Sequence, residues 1–158
     1  MISIRLAKFS DIESLIPLNS EVQSLHIDIA PSVFCEVKKD ELSKWFQEQI
    51  EDCNTQLYIA ENSRKVLGYL IIKVIKRPSN PFMLKQHYAY IDHMCVDSEY
   101  RGNGIGRKLI SVAVAFAKDS GIGHIELDVW SKNINAKNAY KKIGFEASRE
   151  KLICKVEL

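Results

Sequence analysis

The pattern of apolar and polar positions predicts a short strand and two amphipathic helices in the first third of the chain. Ile2, Ile4 and Leu6 alternate with polar neighbours, which is typical of a strand with one buried face. Apolar residues then recur at helical spacing within residues 12–22 and again within residues 40–52. The chain is therefore expected to begin in the order strand, helix, helix.

The middle of the chain changes to a strand-like pattern. Residues 57–60 and 66–75 are rich in β-forming side chains and flank a polar, turn-like stretch, which predicts a hairpin. The second run is apolar at odd and even positions alike, as expected of a central strand that is covered on both faces. After a stretch that contains two prolines, residues 88–96 resume the strand pattern.

The last third alternates again between helix and strand. The apolar residues predict a helix over residues 105–117, a strand over residues 125–129 and a short helix that ends at Gly144. Residues 145–149 and 152–158 are predicted to be two final strands. The full order is β-α-α-β-β-β-α-β-α-β-β. It predicts an α+β fold in three layers, with a central mixed, mostly antiparallel sheet flanked by helices.

The composition fits one globular domain over residues 1–158. Of the 158 residues, 46% are hydrophobic and 27% are charged, and a domain of this size can fold without disulfides or a structural metal. The most apolar stretches stop well short of the ~20 residues that a membrane-spanning helix needs. Nothing near the N-terminus combines a basic segment, an apolar segment and a cleavage site. We therefore expect a cytoplasmic protein without a membrane partner.

The small net charge argues against a nucleic-acid partner, but the charges are unevenly distributed. The net charge is only +2, too small for a protein that coats a polyanion. Residues 11–61 carry eleven acidic and three basic residues, whereas residues 101–142 carry eight basic and three acidic ones. The second region suits an anionic ligand. The first suits a cationic ligand, although acids on the solvent faces of two helices would give the same count.

The cysteines and histidines lack the spacing of a metal site. No C-x-x-C pair occurs among the four cysteines, which are Cys35, Cys53, Cys95 and Cys154. His26, His87 and His124 form no H-x-x-x-H pair and have no cysteine nearby. We expect reduced thiols, an inert Cys95 and no metal.

The most specific chemical pattern is the segment Arg-Gly-Asn-Gly-Ile-Gly-Arg at residues 101–107, between a predicted strand and a predicted helix. Alternate glycines let the backbone approach a ligand closely and adopt positive φ. The free N–H groups at the start of the helix favour a phosphate or diphosphate. The P-loop pattern G-x-x-x-x-G-K-[ST] and the dinucleotide pattern G-x-G-x-x-G are both absent. Taken alone, the segment is also compatible with a plain glycine-rich turn.

Two segments together resemble the GNAT superfamily of N-acetyltransferases. The family's acetyl-CoA loop has a strand-ending Val, then Arg or Gln, two residues, Gly, any residue, and Gly or Ala. Val96, Arg101, Gly104 and Gly106 are similar to that loop. The later family motif, N-x-x-A-x-x-x-Y with a following Gly-Phe, resembles Asn133, Ala136, Tyr140, Gly144 and Phe145. The two segments come in the family's order, and each falls on the type of element that the family uses.

The resemblance implies transfer of an acetyl group from acetyl-CoA to a primary amine, of a small molecule or a peptide, by direct attack in a ternary complex. The diphosphate would lie on the backbone of Arg101, Gly102, Asn103, Gly104, Ile105 and Gly106, with Arg107 nearby. The pantetheine would pair with Met94, Cys95 and Val96, where a backbone N–H can polarise the thioester carbonyl. Asn133 would reach the pantetheine from the other side, and Tyr140 would protonate the leaving thiolate.

Two neighbouring residues are candidates for the general base. An amine must lose a proton before it can attack, and Asp92 and His93 directly precede the thioester segment on the predicted strand. Their side chains should point to opposite faces unless a bulge intervenes. Asp92, directly or through a water, is the preferred base, and an ion-paired Asp92 without a catalytic role is the alternative. His93 is expected to be structural.

Two further points stay open in the sequence. A non-catalytic acetyl-CoA-binding or regulatory module would share the cofactor motif, so only Tyr140 and Asp92 separate it from an enzyme. The predicted strands near residues 152–158 would leave a sheet edge that suits a homodimer.

Overall fold

The structure is a computed structural model that describes residues 1–63 and 65–156. The elements follow the predicted order up to the fourth helix. Their bounds are β1 Ser3–Leu6, α1 Ile12–Ile29, α2 Lys39–Glu51, β2 Thr55–Glu61, β3 Val66–Arg77, β4 Gln86–Val96, α3 Ile105–Asp119, β5 Ile125–Glu126 and α4 Ile134–Ile143. Short 3-10 turns, Phe9–Asp11 and Ser98–Tyr100, lie before α1 and α3. The predicted turn between β2 and β3 contains Arg64, which lies outside the described residues.

The described strands form one sheet in the order β1-β2-β3-β4-β5. Each neighbouring pair is antiparallel except β4 and β5, which are parallel. Parallel neighbours need a crossover connection, and α3 is that connection. The sheet is therefore mixed and mostly antiparallel, and the predicted α+β fold class is confirmed.

Helices cover both faces of the sheet, as the apolar pattern of β3 predicts. Tyr69 and Ile71 of β3 pack in one cluster with α1 and α2, while Leu70 points to the other face. All of these side chains have 0% exposure. On the second face Gly106 of α3 lies near Met94, the partner of Leu70 in the sheet. The central strand is thus buried between two helical layers.

The strands β3 and β4 approach each other closely at Gly68. Gly68 pairs with Val96, the last residue of β4. A Cβ at position 68 would lie only 2.6 Å from the carbonyl oxygen of Cys95. Glycine is therefore required here for space, and it sets how closely the end of β4 packs against the sheet.

The chain divides into two compact units, one up to Asp128 and one from Val129 onwards. The sheet with α1, α2 and α3 lies in the first unit, and α4 lies in the second. The single domain over residues 1–158 stays a prediction.

The end of the chain differs from the sequence prediction. The strand at residues 145–149 is wrong, and so is the described part of the strand at residues 152–158, because no strand occurs there. Leu152 and Ile153 are 89% and 78% exposed, so the apolar pattern of this segment has no burial to match it. The sheet edge expected for a homodimer is therefore not found in the part of the segment that the structure describes. Positions 157 and 158 lie outside it.

Candidate functional site

The turn after β4 carries the glycine segment, and its backbone requires glycine at two positions. Gly102 has φ 81° and Gly104 has φ 76°. Residues with a Cβ rarely adopt this region, and within the described ranges no residue other than glycine does so. The turn leads directly into α3, which begins at Ile105.

The start of α3 is suited to bind an anion. Its N-cap is Gly104, and no side-chain hydrogen bond caps the helix. The first turn has no acidic residue but contains Arg107 and Lys108. Cations at this end oppose the helix dipole. Unsatisfied N–H groups, the helix dipole and the nearby Arg107 therefore favour a phosphate or diphosphate here, whereas the Lys108 ammonium donates to the carbonyl oxygen of Ile2 at 3.4 Å.

Arg101 and Asn103 hold the loop in shape with their side chains. The Arg101 guanidinium donates from Nε to the carbonyl oxygen of Val96 at 3.0 Å and pairs with Glu21 of α1 at 2.5 Å. The Asn103 amide donates to the carbonyl oxygen of Tyr100 at 3.1 Å. The loop is thus braced from both sides, and its backbone is the part that a ligand can use.

The residues predicted to bind the pantetheine lie at the end of β4 on two faces. Met94 and Val96 face α3, with side-chain carbons 3.9 and 4.0 Å from where a Cβ on Gly106 would lie. Cys95 faces the opposite side, where its thiol donates to the carbonyl oxygen of Leu18 at 3.1 Å. Burial raises the pKa of Cys95 to about 12. The thiol is therefore neutral and unreactive, in agreement with the sequence prediction.

One edge of β4 is open along the same segment. The parallel pairing with β5 covers only Ala89 and Tyr90. Residues 91–96 have no strand partner on that side within the described ranges. An extended ligand can therefore add to β4 as a further strand would.

A β-bulge lies between the two candidate bases. Ile71 of β3 pairs with His93, but the next residue of β3 pairs with Ile91, so the register skips Asp92. Asp92 Oδ2 lies 2.6 Å from Lys73 Nζ. The ion pair that the sequence left as an alternative is therefore present. The bulge also removes the strict alternation that would send the two candidates to opposite faces.

His93 is held by a partly buried hydrogen-bond chain. Its Nδ1 lies 2.7 Å from Tyr69 Oη, and that oxygen accepts from Asn19 Nδ2 at 3.0 Å. The rings of Trp45 and His26 lie edge-on to the imidazole, with centroids 6.0 and 6.2 Å away. Burial lowers the pKa of His93 to about 4, so the ring is neutral at neutral pH.

Sequence reasoning missed Asn19, Tyr69 and Lys73. Asn19 and Tyr69 are 50 residues apart, and Lys73 and Asp92 are 19 apart. They meet only because α1 packs on the sheet and because β3 pairs with β4 in one register. The spacing of residues along the sequence does not predict these contacts.

The later motif forms the two ends of α4. Asn133 is the N-cap, and its Oδ1 accepts from the Ala136 N–H at 3.1 Å. Gly144, with φ 111°, ends the helix. The Phe145 N–H donates to the Tyr140 carbonyl oxygen at 3.1 Å, and the two rings meet edge-on. The spacing therefore encodes a capped helix that carries Tyr140 near its C-terminal end, where burial raises the pKa of Tyr140 to about 12.

The sequence profile of the acetyltransferase (GNAT) family matches residues 20–145, which include the loop and the later motif. The chain belongs to the GNAT family. The resemblance seen in the two segments is thereby confirmed over most of the chain.

Curated relatives of this GNAT chain are longer proteins. N-acetyltransferase 8B of Homo sapiens is 26% identical over 108 residues, 68% of this chain and 46% of that protein. L-ornithine N5-acetyltransferase of Arabidopsis thaliana is 27% identical over 109 residues, again 68% of this chain and 46% of that protein. The chain thus spans less than half the length of these relatives.

Solved structures share the GNAT fold along nearly the whole chain. A mutant of the BH1408 protein from Bacillus halodurans has a TM-score of 0.93 at 26% identity, covering 98% of this chain and 99% of that one. A predicted acetyltransferase from Clostridium acetobutylicum, crystallised with acetyl-CoA, has a TM-score of 0.73 at 24% identity. That match covers 98% of this chain and 96% of the other, and it shows likeness of fold.

The described ranges contain neither a candidate metal site nor a candidate membrane-spanning helix. No group of three or more His, Cys, Asp or Glu residues there could hold a metal ion. Within the same ranges, no helix is both long and apolar enough to cross a membrane.

Proposed function

We propose that this GNAT chain is an acetyl-CoA-dependent N-acetyltransferase that acetylates a primary amine by direct attack in a ternary complex. The observation that carries the proposal is the start of α3. It has two glycines of positive φ before it, no side-chain cap and no acid in its first turn, where Arg107 and Lys108 stand instead. Such a start is unfavourable in the absence of an anion and suits the diphosphate of CoA.

Backbone groups would hold and polarise the thioester. Residues 101–106 would offer N–H groups to the diphosphate, with Arg107 beside them. The open edge of β4 at Met94, Cys95 and Val96 would pair with the pantetheine as an added strand. An N–H of this segment would stabilise the oxyanion, an effect worth about 3 kcal/mol for one well-placed donor.

Asp92 would take the first proton. Its carboxylate accepts a proton from the ammonium form of the acceptor, directly or through a water, and the nitrogen lone pair then bonds to the carbonyl carbon. Lys73 Nζ, 2.6 Å away, balances the charge of the carboxylate before this step. The ion pair fixes the orientation of the carboxylate, and in the proposed step the amine or a water would share this carboxylate with Lys73.

Tyr140 would supply the second proton. As the C–S bond breaks, its hydroxyl protonates the departing CoA thiolate, and a pKa raised to about 12 keeps that hydroxyl protonated until then. Asn133 uses its side-chain oxygen to cap α4. Its amide N–H groups are therefore the ones that would reach the pantetheine.

The acceptor would be an amine of a small molecule or a peptide. The acids in residues 11–61, which suggested a cationic acceptor, are in part neutralised within the chain. Of the acids in residues 11–61, Asp11, Glu13, Glu21 and Glu61 are paired with basic side chains of the same chain. The number of acids therefore overstates the negative electrostatic potential that this region would present to an acceptor. One relative is named for acetylation of L-ornithine, so small-molecule amines are the first class to test.

Calorimetry with acetyl-CoA and a thiol-release assay with a panel of primary amines test the proposal together. We expect binding heat and thiol release that depends on the amine. Binding without release for any amine would indicate the non-catalytic acetyl-CoA-binding module instead. If acetyl-CoA produces neither heat nor thermal stabilisation, the proposed function is refuted.

A further inference from the structure

The hydrogen bonds around Tyr69 determine which ring nitrogen of His93 carries the proton. Asn19 Nδ2 can only donate, and it lies 3.0 Å from Tyr69 Oη. The tyrosine oxygen therefore accepts this bond and has its own hydrogen left to donate. His93 Nδ1, 2.7 Å away, is placed to accept it. A nitrogen that accepts carries no hydrogen, so the single ring hydrogen of a neutral His93 lies on Nε2.

The surroundings favour a neutral, oriented ring. Tyr69 has 0% exposure and stacks on His93 with the ring planes 3° apart. Trp45 and His26 flank the same imidazole. An imidazolium enclosed by rings would lose most of its hydration. Burial accordingly lowers the pKa of His26 as well, so neither ring is charged at neutral pH.

The neighbouring charges leave His93 neutral. Asp92, the next residue along β4, is paired with Lys73 at 2.6 Å. The two charges largely cancel at the distance of the ring. His93 therefore acts through the geometry of its N–H group and not through charge.

We infer that His93 is a positioning residue whose Nε2–H is a fixed hydrogen-bond donor, and that it orients the acceptor through an oxygen atom of the acceptor or a bound water. The His93 side chain lies on the face of β4 that contacts α1 and α2, and Cys95 of the segment proposed to hold the thioester lies on the same face. With its proton on Nε2, the ring does not take the proton of the amine, and that step falls to Asp92. The orienting role rests on the proposed function, whereas the position of the proton does not.

The first test determines the tautomer in the free protein, without acceptor or activity. Long-range 1H–15N correlation spectra of the labelled protein distinguish a bare Nδ1 from a protonated Nε2 in each of the four histidines. The His93→Gln variant identifies the His93 signals. We expect the Nε2–H tautomer alone at neutral pH. A proton on Nδ1 would overturn the inference, because the Asn19 amide would then be reversed and Nε2 would be a free base.

A pair of tyrosine variants tests the origin of the tautomer. Tyr69→Phe keeps the ring but removes the donor, so the His93 signals should become those of a tautomer mixture. Tyr88→Phe is the control, because Tyr88 is a buried tyrosine that stacks on another histidine, His124, at 5.6 Å. It should leave the His93 signals unchanged. A pure Nε2–H ring in Tyr69→Phe would contradict the role of the chain.

Steady-state kinetics then distinguish His93 as a hydrogen-bond donor from His93 as a general base. We expect His93→Phe to raise the KM for the acceptor about fivefold, the usual effect of one lost hydrogen bond, with kcat and its pH profile nearly unchanged. His93→Gln, which can place an amide N–H near the same point, should raise KM less. A fall in kcat of about 10²-fold with a lost limb of the pH profile would identify a base and overturn the inference. If the unmodified protein acetylates no amine, the proposed function fails, and the spectra still determine the tautomer.

Discussion

Lys73 Nζ and Asp92 Oδ2 lie 2.6 Å apart beside the bulge that interrupts β4. Their side chains are 28% and 31% exposed, so the pair contributes at most about 1 kcal/mol to stability. Its main consequence is chemical. The cation holds an ionised carboxylate in one orientation, two residues before the segment proposed to hold the thioester.

Replacing Asp92 should lower kcat with little effect on the free energy of unfolding. We expect Asp92→Asn to lower kcat about 10²-fold, because an amide cannot accept the proton of the amine. The Kd for acetyl-CoA should stay the same, and the free energy of unfolding should fall by no more than about 1 kcal/mol. Steady-state kinetics, calorimetry and urea denaturation measure these quantities. Glu13→Gln, which breaks the exposed pair with Lys39, is the matched control, and equal kcat values in the two variants would count against Asp92 as the base.

The cations at the start of α3 should oppose stability and support binding. Arg107→Gln should raise the free energy of unfolding of the free protein by about 0.3 to 1 kcal/mol, since a positive charge leaves the positive end of the helix dipole. The same change should weaken acetyl-CoA binding about tenfold through the loss of a charge-assisted hydrogen bond. Denaturation and calorimetry measure the two effects.

Lys118, in the last turn of the same helix, provides the control of opposite sign. Lys118→Gln should lower the free energy of unfolding by a similar amount, about 0.3 to 1 kcal/mol, because the cation complements that end of the dipole. Its Kd for acetyl-CoA should not change. A loss of binding in both variants would point to general electrostatic attraction and not to a site at the start of α3.

The elements that the sequence predicts well are those encoded by local signals. Such local signals include the helical spacing in α3, the two-sided apolar run of β3 and the glycines at 102 and 104. Each depends only on residues that are close together in the sequence. The order of elements up to α4 and the positive φ angles of the turn before α3 follow from them.

The parts that could not be predicted depend on register and packing. The sequence of β4 contains no signal for the bulge, and only its pairing with β3 shows that Asp92 is skipped. Tyr69 contacts His93 because β3 pairs with β4, and Asn19 contacts Tyr69 because α1 packs on this face of the sheet. Residues 145–149 and the described part of residues 152–158 show the opposite error, since their strand-like pattern corresponds to no strand and Leu152 and Ile153 are exposed.

Substitution of Gly68 should disturb the sheet near the proposed thioester segment. The added methyl of Gly68→Ala would lie 2.6 Å from the Cys95 carbonyl oxygen, so β3 and β4 must separate. We expect a loss of about 1 to 3 kcal/mol in the free energy of unfolding and weaker acetyl-CoA binding. Gly123→Ala is the control, because no atom lies within 4 Å of its Cβ position. Equal stability of the two variants would show that the close approach is relieved at no cost.

The partly buried His93 and His26 should make stability fall on mild acidification. The pKa of His93 is about 4 in the folded protein and 6.5 ordinarily, so between these values the unfolded chain binds a proton that the folded chain does not. Stability should therefore fall as the pH drops from 6.5 towards 4, by about 3 kcal/mol for the full shift. His26 adds to the effect in the same direction. Asp11 and Asp97, with pKa values lowered below 3.8, act only at lower pH.

Urea denaturation at a series of pH values measures this dependence. His93→Gln should flatten the change between the two pKa values, because the variant has no ring to protonate at this position. His87→Gln, at an exposed histidine of the same strand, should keep the slope of the unmodified protein. Identical slopes in all three proteins would rule out a His93 that stays neutral in the folded protein over this pH range.

Tyr140→Phe should remove the proposed general acid while keeping the helix. The phenyl ring can retain the edge-on contact with Phe145, so stability and the Kd for acetyl-CoA should change little. The departing thiolate would lack its proton donor, and kcat should fall about 10²-fold. Tyr58→Phe is the control, since Tyr58 is another partly buried tyrosine whose pKa burial raises. Because the pKa of Tyr140 is about 12, a fall in the kcat of the unmodified protein at much lower pH must come from another group. An unchanged kcat in Tyr140→Phe would exclude Tyr140 as the acid.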